Sequence, residues 1–229
     1  MVPSQFYTTQ NFGERSKNMI SVKLHLAIDD DNFATNTYIV TDEETGETAV
    51  IDPSLSEDSL IEKIEDKNVK YILITHGHYD HIGGANLVKE KTGAKIVVHK
   101  EDEEMLLDSK KNYGENTEPV YADILVEDGS ELMLGNAKIT VLHTPGHTKG
   151  GVCYIFEDDR IIFSGDTLFR LTAGRTDLYG GNARTELMSL AKIGELEGDY
   201  KVYPGHDDST TLDFERQYNR YMRTRFRRK

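Results

Sequence analysis

Four apolar runs in this chain each end on a concentrated polar motif. "YILI" runs into "THGHYDH", "ITVL" into "HTPGHT", "IIFS" into "GDTLF" and "KVY" into "PGH". Short runs rich in β-branched and aromatic residues read as buried strands. Loops at strand ends gather along one edge of a sheet, where a rigid scaffold presents reactive groups. The four loops are therefore expected to build one site from segments far apart in the chain.

The first loop sets the chemistry. His76 and His78 are two positions apart, so a locally extended backbone aims both the same way, while Asp80 and His81 follow from the next turn. Imidazole nitrogens and carboxylate oxygens are the ligands that zinc and iron accept. Burying several such groups together without partners is costly, so the motif reads as a metal site. The later loops add His147, Asp166 and His206. Seven protein ligands exceed what one ion would take while leaving room for a substrate, so two divalent ions are expected.

The rest of the chain reads as mixed α/β with more strand than a simple βαβ alternation. "MISVKLHLAI", "NTYIVT", "TAVIDP", "AKIVVHK" and "GGVCYIF" are further strand-like runs. "SEDSLIEKIEDKN" places Leu60, Ile61 and Ile64 on one helical face, "GGANLVKEKTG" reads as a helix stopped by Gly93, and "ARTELMSLAKIGEL" as a third. Residues 1–18 are polar and aperiodic, a peripheral extension ahead of one domain expected over 19–229.

Charge and cysteine usage narrow the function. Lys plus Arg number 27 against 40 Asp plus Glu, a net charge of −13 that repels nucleic acid and anionic membranes. The closing "RTRFRRK" is the local exception and reads as a solvated tail. No run has the length of a membrane span and the N-terminus lacks a signal-peptide core, so a cytoplasmic location is expected, with no nucleic-acid or membrane partner. The single cysteine, Cys153, lies in an alternating run and reads as a buried, inert thiol.

The series "THGHYDH … HTPGHT … SGDTLF … GRTDL … YPGH" resembles the metallo-β-lactamase fold hydrolases and, within them, the glyoxalase II-like (hydroxyacylglutathione hydrolase-like) thioester hydrolases. The likeness runs from about Asn36 to His206. It implies an α/β fold, an αββα four-layer sandwich of two mixed β-sheets flanked by helices, with the site at one edge. It also implies His76, His78 and His147 on one metal, Asp80, His81 and His206 on the other, and Asp166 bridging both. Zinc is the foremost candidate, with iron or manganese as alternatives. Two such cations lower the pKa of a shared water towards ~7, and Asp80 and Asp166 would position the resulting metal-bound hydroxide against a small-molecule thioester.

The resemblance also separates supporting residues from ligands. His143 matches a motif histidine that packs and hydrogen-bonds behind the ligands. Asp52, in "AVIDPS", either orients a ligand imidazole or serves only as an Asp-Pro turn residue. Arg175 matches a basic substrate-contacting position and is the candidate for an anionic thioester's carboxylate, or else an exposed structural arginine. His25 reads as a partly exposed sheet residue and His99 as an ordinary strand end. The C-terminal helical domain of glyoxalase II has no counterpart after His206, so a compact form is expected. Two of the family's substrate-binding tyrosines are replaced by Asp177 and Asp208. The principal alternative is a mononuclear-iron persulfide dioxygenase of the same superfamily, whose last motif reads Pro-Ala-His where this chain has "PGH"; hydrolysis of another small ester or lactone is the other.

Overall fold

The computed structural model describes residues 19–29, 32–55, 57–115 and 117–222. The expected N-terminal extension and the basic tail from residue 223 onward lie outside the described residues.

The first sheet runs in the order β1 (Ile20–Ile28), β2 (Ala34–Asp42), β3 (Glu47–Ile51), β4 (Asn68–Leu73), β5 (Lys95–His99) and β6 (Ile124–Val126). Its first two pairings are antiparallel and the remaining three parallel. The second sheet contains β7 (Glu131–Leu134), β8 (Ala137–His143), β9 (Val152–Phe156) and β10 (Ile161–Gly165). After a small hairpin of β11 (Leu168–Phe169) and β12 (Thr172–Ala173), β13 (Lys201–Pro204) and β14 (Thr210–Thr211) complete it. Its order is β14-β13-β10-β9-β8-β7, with only β10 and β13 parallel. Both sheets are mixed.

The period-two alternation of side chains explains the layering. Along β2, Tyr38 and Val40 face inward while Ile39 faces outward; along β9, Val152, Tyr154 and Phe156 face inward while Cys153 and Ile155 face outward. The inward sets of both sheets form one central core, where Tyr154, Phe156 and Phe163 are the largest fully buried side chains. Truncating a buried ring such as Phe163 to alanine would cost about 3–5 kcal/mol.

Helices cover both outer faces. α1 (Asp58–Ile64), α2 (Tyr79–Ile82), α3 (Ala85–Thr92), α4 (Glu103–Leu107) and α5 (Ser109–Asn112) belong to the first half. Leu60, Ile64, Val88 and Leu106 from this group pack on the outward Ile72, Ile96 and Val98. α6 (Ala183–Gly194) and α7 (Leu212–Tyr218) cover the second sheet through Leu190, Ile193 and Leu212. The helix expected to stop at Gly93 does so, because Gly93 takes the left-handed conformation at φ 73° and its N–H caps Lys89. Cys153 is fully buried, and burial pushes its thiol up to about 12. Among the described residues no helix is long and apolar enough to cross a membrane.

The expectation for His25 requires correction. β1 alternates as expected, but the face carrying His25 is covered, leaving it 4% exposed. Its Nε2 meets Glu57 Oε2 at 3.0 Å and its Nδ1 accepts from Lys63 Nζ at 2.8 Å. His99 is also buried, stacked on His143 with ring centres 4.0 Å apart.

This topology places the polar loops together. β8, β10 and β13 all point the same way, because β8 and β10 are each antiparallel to β9 and β13 is parallel to β10. Their C-terminal ends open onto one edge of the sandwich, where the loop after β4 joins them through the hydrogen bond from Val152 N to Thr75 O at 2.9 Å.

Candidate metal centre

Seven side chains from the four strand-end loops converge at that edge. His76 and His78 come from the extended segment after β4, and Asp80 and His81 from the short helix α2. His147 comes from the loop after β8, Asp166 directly follows β10, and His206 follows β13. His76, His78, Asp80, His81 and His147 are buried, with Asp166 and His206 partly so.

Two triads meet at Asp166. In the first, His147 Nε2 lies 3.2 Å from His76 Nε2 and 2.9 Å from His78 Nδ1. In the second, His206 Nε2 lies 3.2 Å from Asp80 Oδ2 and 3.4 Å from His81 Nε2, which is itself 3.3 Å from Asp80 Oδ2. Asp166 Oδ2 is 3.5 Å from His147 Nε2 and 3.4 Å from His206 Nε2, and its Oδ1 is 3.4 Å from His81 Nε2. Within each group of three the facing ligand atoms lie within 4.8 Å of one another.

The outer nitrogens decide what the inner ones can do. His147 Nδ1–H donates to the Arg175 carbonyl at 2.8 Å and His206 Nδ1–H to the Ala34 carbonyl at 2.7 Å. A carbonyl can only accept, so each ring must carry its proton outward. His81 Nδ1–H likewise donates to Asp52 Oδ2 at 2.8 Å. When neutral, each ring aims a lone pair from Nε2 into the cluster. Facing lone pairs at such distances repel unless a proton or a metal cation lies between them, and Asp166 Oδ1 is buried without a hydrogen-bond donor among the described residues. The donor set therefore suits divalent cations.

The electrostatics of the two triads differ. Burial, reinforced by neighbouring imidazoles, pushes His78 down to about 3 and His76 well below its ordinary value. Burial also opposes charge on His81 and His206, but carboxylates overcome it. Asp80, Asp166 and Asp52 hold His81 well above its usual value, and hydrogen bonds to Asp166 and Asp80 hold His206 at about 10. Against the same penalty, His81 and His206 keep Asp80 far below the usual carboxylate range and Asp166 at about 2. In the metal-free chain a proton thus stands in the second triad where a cation would stand.

The supporting residues fall into place. Of the two readings of Asp52, the structure carries both: it closes β3 at φ 48°, and its carboxylate holds His81 and accepts from Thr75 N and Thr75 Oγ1 at 2.7 and 2.6 Å. His143 Nε2–H donates to the Lys149 carbonyl at 2.8 Å, closing the loop that carries His147. The Arg175 side chain is exposed and held by both oxygens of Asp177, each at 2.8 Å, while its backbone carbonyl orients His147.

Sequence reasoning missed Asp102. Its buried carboxylate accepts from Gly77 N at 3.0 Å, Thr148 Oγ1 at 2.7 Å and Gly150 N at 2.6 Å, tying the first ligand loop to the His147 loop. Nothing in the acidic run "HKEDEE" distinguishes it from its solvated neighbours. Glu186 was missed too. It is buried against Gly146, where an added Cβ would stand 2.3 Å from the Glu186 backbone, and burial pushes its carboxyl up to about 9.

A cleft of about 940 Å³ opens over the cluster, with His78, Asp80, His147, Asp166 and His206 on its floor. Two packed mixed sheets with this His/Asp cluster at their shared edge define a metallohydrolase centre. The metallo-beta-lactamase superfamily model matches residues 30–206, and the chain belongs to that superfamily. An uncharacterized protein of Mycobacterium leprae is 35% identical over 202 residues, covering 82% of this chain and 93% of its own. The hydroxyacylglutathione hydrolase GloC of Haemophilus influenzae is 32% identical over 202 residues, covering 84% and 95%. Among solved structures, the BLEG-1 B3 metallo-beta-lactamase superposes with a TM-score of 0.79 at 31% identity, over 88% of this chain and 99% of its own. The di-iron-bound form of TTHA1623 gives 0.71 at 30% identity over 82% and 95%. ETHE1 from Myxococcus xanthus gives 0.68 at 29% identity over 86% and 83%.

Proposed function

We propose that this chain is a dinuclear metal-dependent hydrolase of small thioesters. The observation that carries the reading is the meeting of two complete triads at Asp166, with His76, His78 and His147 to hold one cation and Asp80, His81 and His206 the other. Likeness to a hydroxyacylglutathione hydrolase and to a di-iron protein supports it. When bound, two divalent cations would lower the pKa of a water and polarise an acyl carbonyl.

The chain's own residues do the positioning. Asp52 and the carbonyls of Arg175 and Ala34 hold three imidazoles with Nδ1–H outward and Nε2 facing the cluster, so the rings need not turn when an ion or substrate arrives. Asp80 Oδ2 and Asp166 Oδ2 lie 3.2 and 3.4 Å from His206 Nε2, and the two carboxylates would align the attacking water. A thiolate leaves without a proton, so no side chain need act as general acid.

Purified without chelator and away from oxygen, the protein is expected to hold close to two equivalents of zinc, iron or manganese. It should hydrolyse S-lactoylglutathione or a neutral acyl thioester near neutral pH, and lose that activity with its metal. One equivalent of ferrous iron, no thioester turnover and oxygen uptake with a persulfide would replace this reading by persulfide oxidation. Turnover of esters or lactones alone would move the substrate class.

A further inference from the structure

The first edge strand carries an unusual row. Ile20 and Val22 share a face of β1 and pack into the central core. The same face continues with Leu24, Leu26 and Ile28, which are 54%, 50% and 53% exposed. Their pairing partners on β2 are Tyr38, Asn36 and Ala34, so the row advances from the core towards the His206 end of the site. The strand outruns the sheet that should cover it. An apolar face left bare by a core strand usually marks a binding surface.

Leu24 and Leu26 form part of the cleft wall, and Phe33, Phe169 and Ala173 continue it. The wall and the floor where the two triads lie belong to one cleft; Phe33 itself packs at a tilt against His206 with ring centres 4.7 Å apart. At the ~3.4 Å rise of an antiparallel strand, the row from Leu24 to Ile28 is roughly 14 Å long.

Charge around the cleft points the same way. Outside the cluster its charged lining residues, among those described, are Arg175, Asp207 and Asp208. The guanidinium of Arg175 is already engaged by both oxygens of Asp177, and Asp208 pairs with Arg170 at 3.3 Å. Among the described residues the rim has no uncommitted cation to receive the carboxylates of a glutathione conjugate, and Asp207 adds an acidic side chain.

We propose that the acyl group of the substrate is a medium-length saturated hydrocarbon chain lying along Leu24 and Leu26, with its thioester carbonyl over the triads and an uncharged thiol half. This rests on the thioester hydrolase reading and names the substrate class of that same site. Burial of each added methylene strengthens binding by up to about fourfold. A surface that contacts the chain along only one side realises part of that.

The test uses metal-loaded protein and N-acetylcysteamine thioesters from acetyl to octanoyl, beside S-lactoylglutathione. kcat/KM should rise two- to fourfold per methylene and exceed the glutathione value at octanoyl. Calorimetric binding of the matching non-hydrolysable S-alkyl thioethers should tighten in step. Leu26→Lys and Leu24→Ser alter exposed side chains and leave the core intact; each should reduce the octanoyl-to-acetyl ratio at least tenfold. A flat chain-length profile, or a preference for S-lactoylglutathione, overturns the acyl-chain assignment and leaves the hydrolase reading standing. A dimer that Leu26→Lys converts to monomer, with a flat profile, gives the row to a second copy of the chain. Failure to cleave any thioester at full metal content overturns the hydrolase reading and the acyl assignment with it.

Discussion

Asp52 Oδ2 accepts the Nδ1–H of His81 at 2.8 Å from a residue held in the left-handed backbone region at φ 48°. Aspartate and asparagine tolerate that region better than other non-glycine residues. The strand end and the His81 ring are thereby set by one side chain, since the same carboxylate also fixes Thr75, the residue before His76.

Asp52→Asn keeps the backbone preference and the volume but removes an acceptor. An amide has one oxygen, and Thr75 and His81 between them present three donors to two carboxylate oxygens. Residues that orient metal-bound histidines typically contribute 10–100-fold in metal affinity or activity. We expect Asp52→Asn to weaken the more labile equivalent of metal by about that factor, with the folded far-ultraviolet spectrum retained. Unchanged affinity in a chelator competition would show that the Asp52 to His81 bond does not tune the site.

Asp102 acts on the other triad. Asp102→Ala leaves the donors of Gly77, Thr148 and Gly150 without their buried acceptor, at about 1–3 kcal/mol for each group left unsatisfied. Partial access of water to the vacated space would recover some of this, so a net loss of about 3 kcal/mol is expected. For a chain of this size that lowers Tm by roughly 6–12 °C. Asp102→Asn keeps one acceptor and should fall between, by thermal denaturation of the metal-loaded proteins. A Tm within ~1 °C of the parent for both would show that the two loops are held by something else.

The gathering of the seven His and Asp side chains was legible in the sequence because each sits at a short fixed offset from an apolar run whose strand character is strong. His76 and His206 belong to different sheets, yet each follows the C-terminal end of its strand. Asp102 and Glu186 were not legible because burial of a carboxylate depends on what the rest of the fold lays over it. Asp102 lies in an acidic run with the pattern of a solvated face, whereas Glu186 shares its helical face with Leu190 and Ile193 and breaks that apolar pattern only by being a carboxylate. His25 failed for the same reason: alternation revealed which side of β1 it occupies, while the approach of Glu57 and Lys63 is a tertiary fact. The bare row of Leu24, Leu26 and Ile28 reads in the sequence as an ordinary core face, and only the length of the opposing sheet shows that it is not.

Metal binding should release protons, and its pH dependence follows from the second triad. In the metal-free chain His206 is held at about 10 and His81 well above its ordinary value, so both bind protons at pH 7 that a cation must displace. His78, at about 3, and His76 are already neutral there and add no such competition. The metal-free form thus holds more protons than the loaded form, and affinity must rise with pH through neutrality, by up to tenfold per unit for each proton displaced. Calorimetry in buffers of different ionisation enthalpy is expected to count one to two protons released per chain at full loading. Zero released protons between pH 6 and 8 would contradict the arrangement.

The glycine of "PGH" is explained by crowding. A Cβ on Gly205 would stand 2.3 Å from Asp166 Oδ1 and 2.6 Å from His81 Cε1, and both belong to the cluster. Neither can yield cheaply, because His81 is anchored on Asp52 and Asp166 lies between the triads. Gly205→Ala should therefore displace Asp166 or His81, whereas Gly93→Ala meets no atom within 4 Å and is strained only through its φ of +73°. We expect Gly205→Ala to retain one equivalent of metal, to lose the second and to drop thioester turnover at least 100-fold, while Gly93→Ala loses stability but keeps its metals. Two tightly held equivalents and full turnover in Gly205→Ala would mean that the loop after β13 shifts freely, and that the close approach of Gly205 to Asp166 is not a constraint on the site.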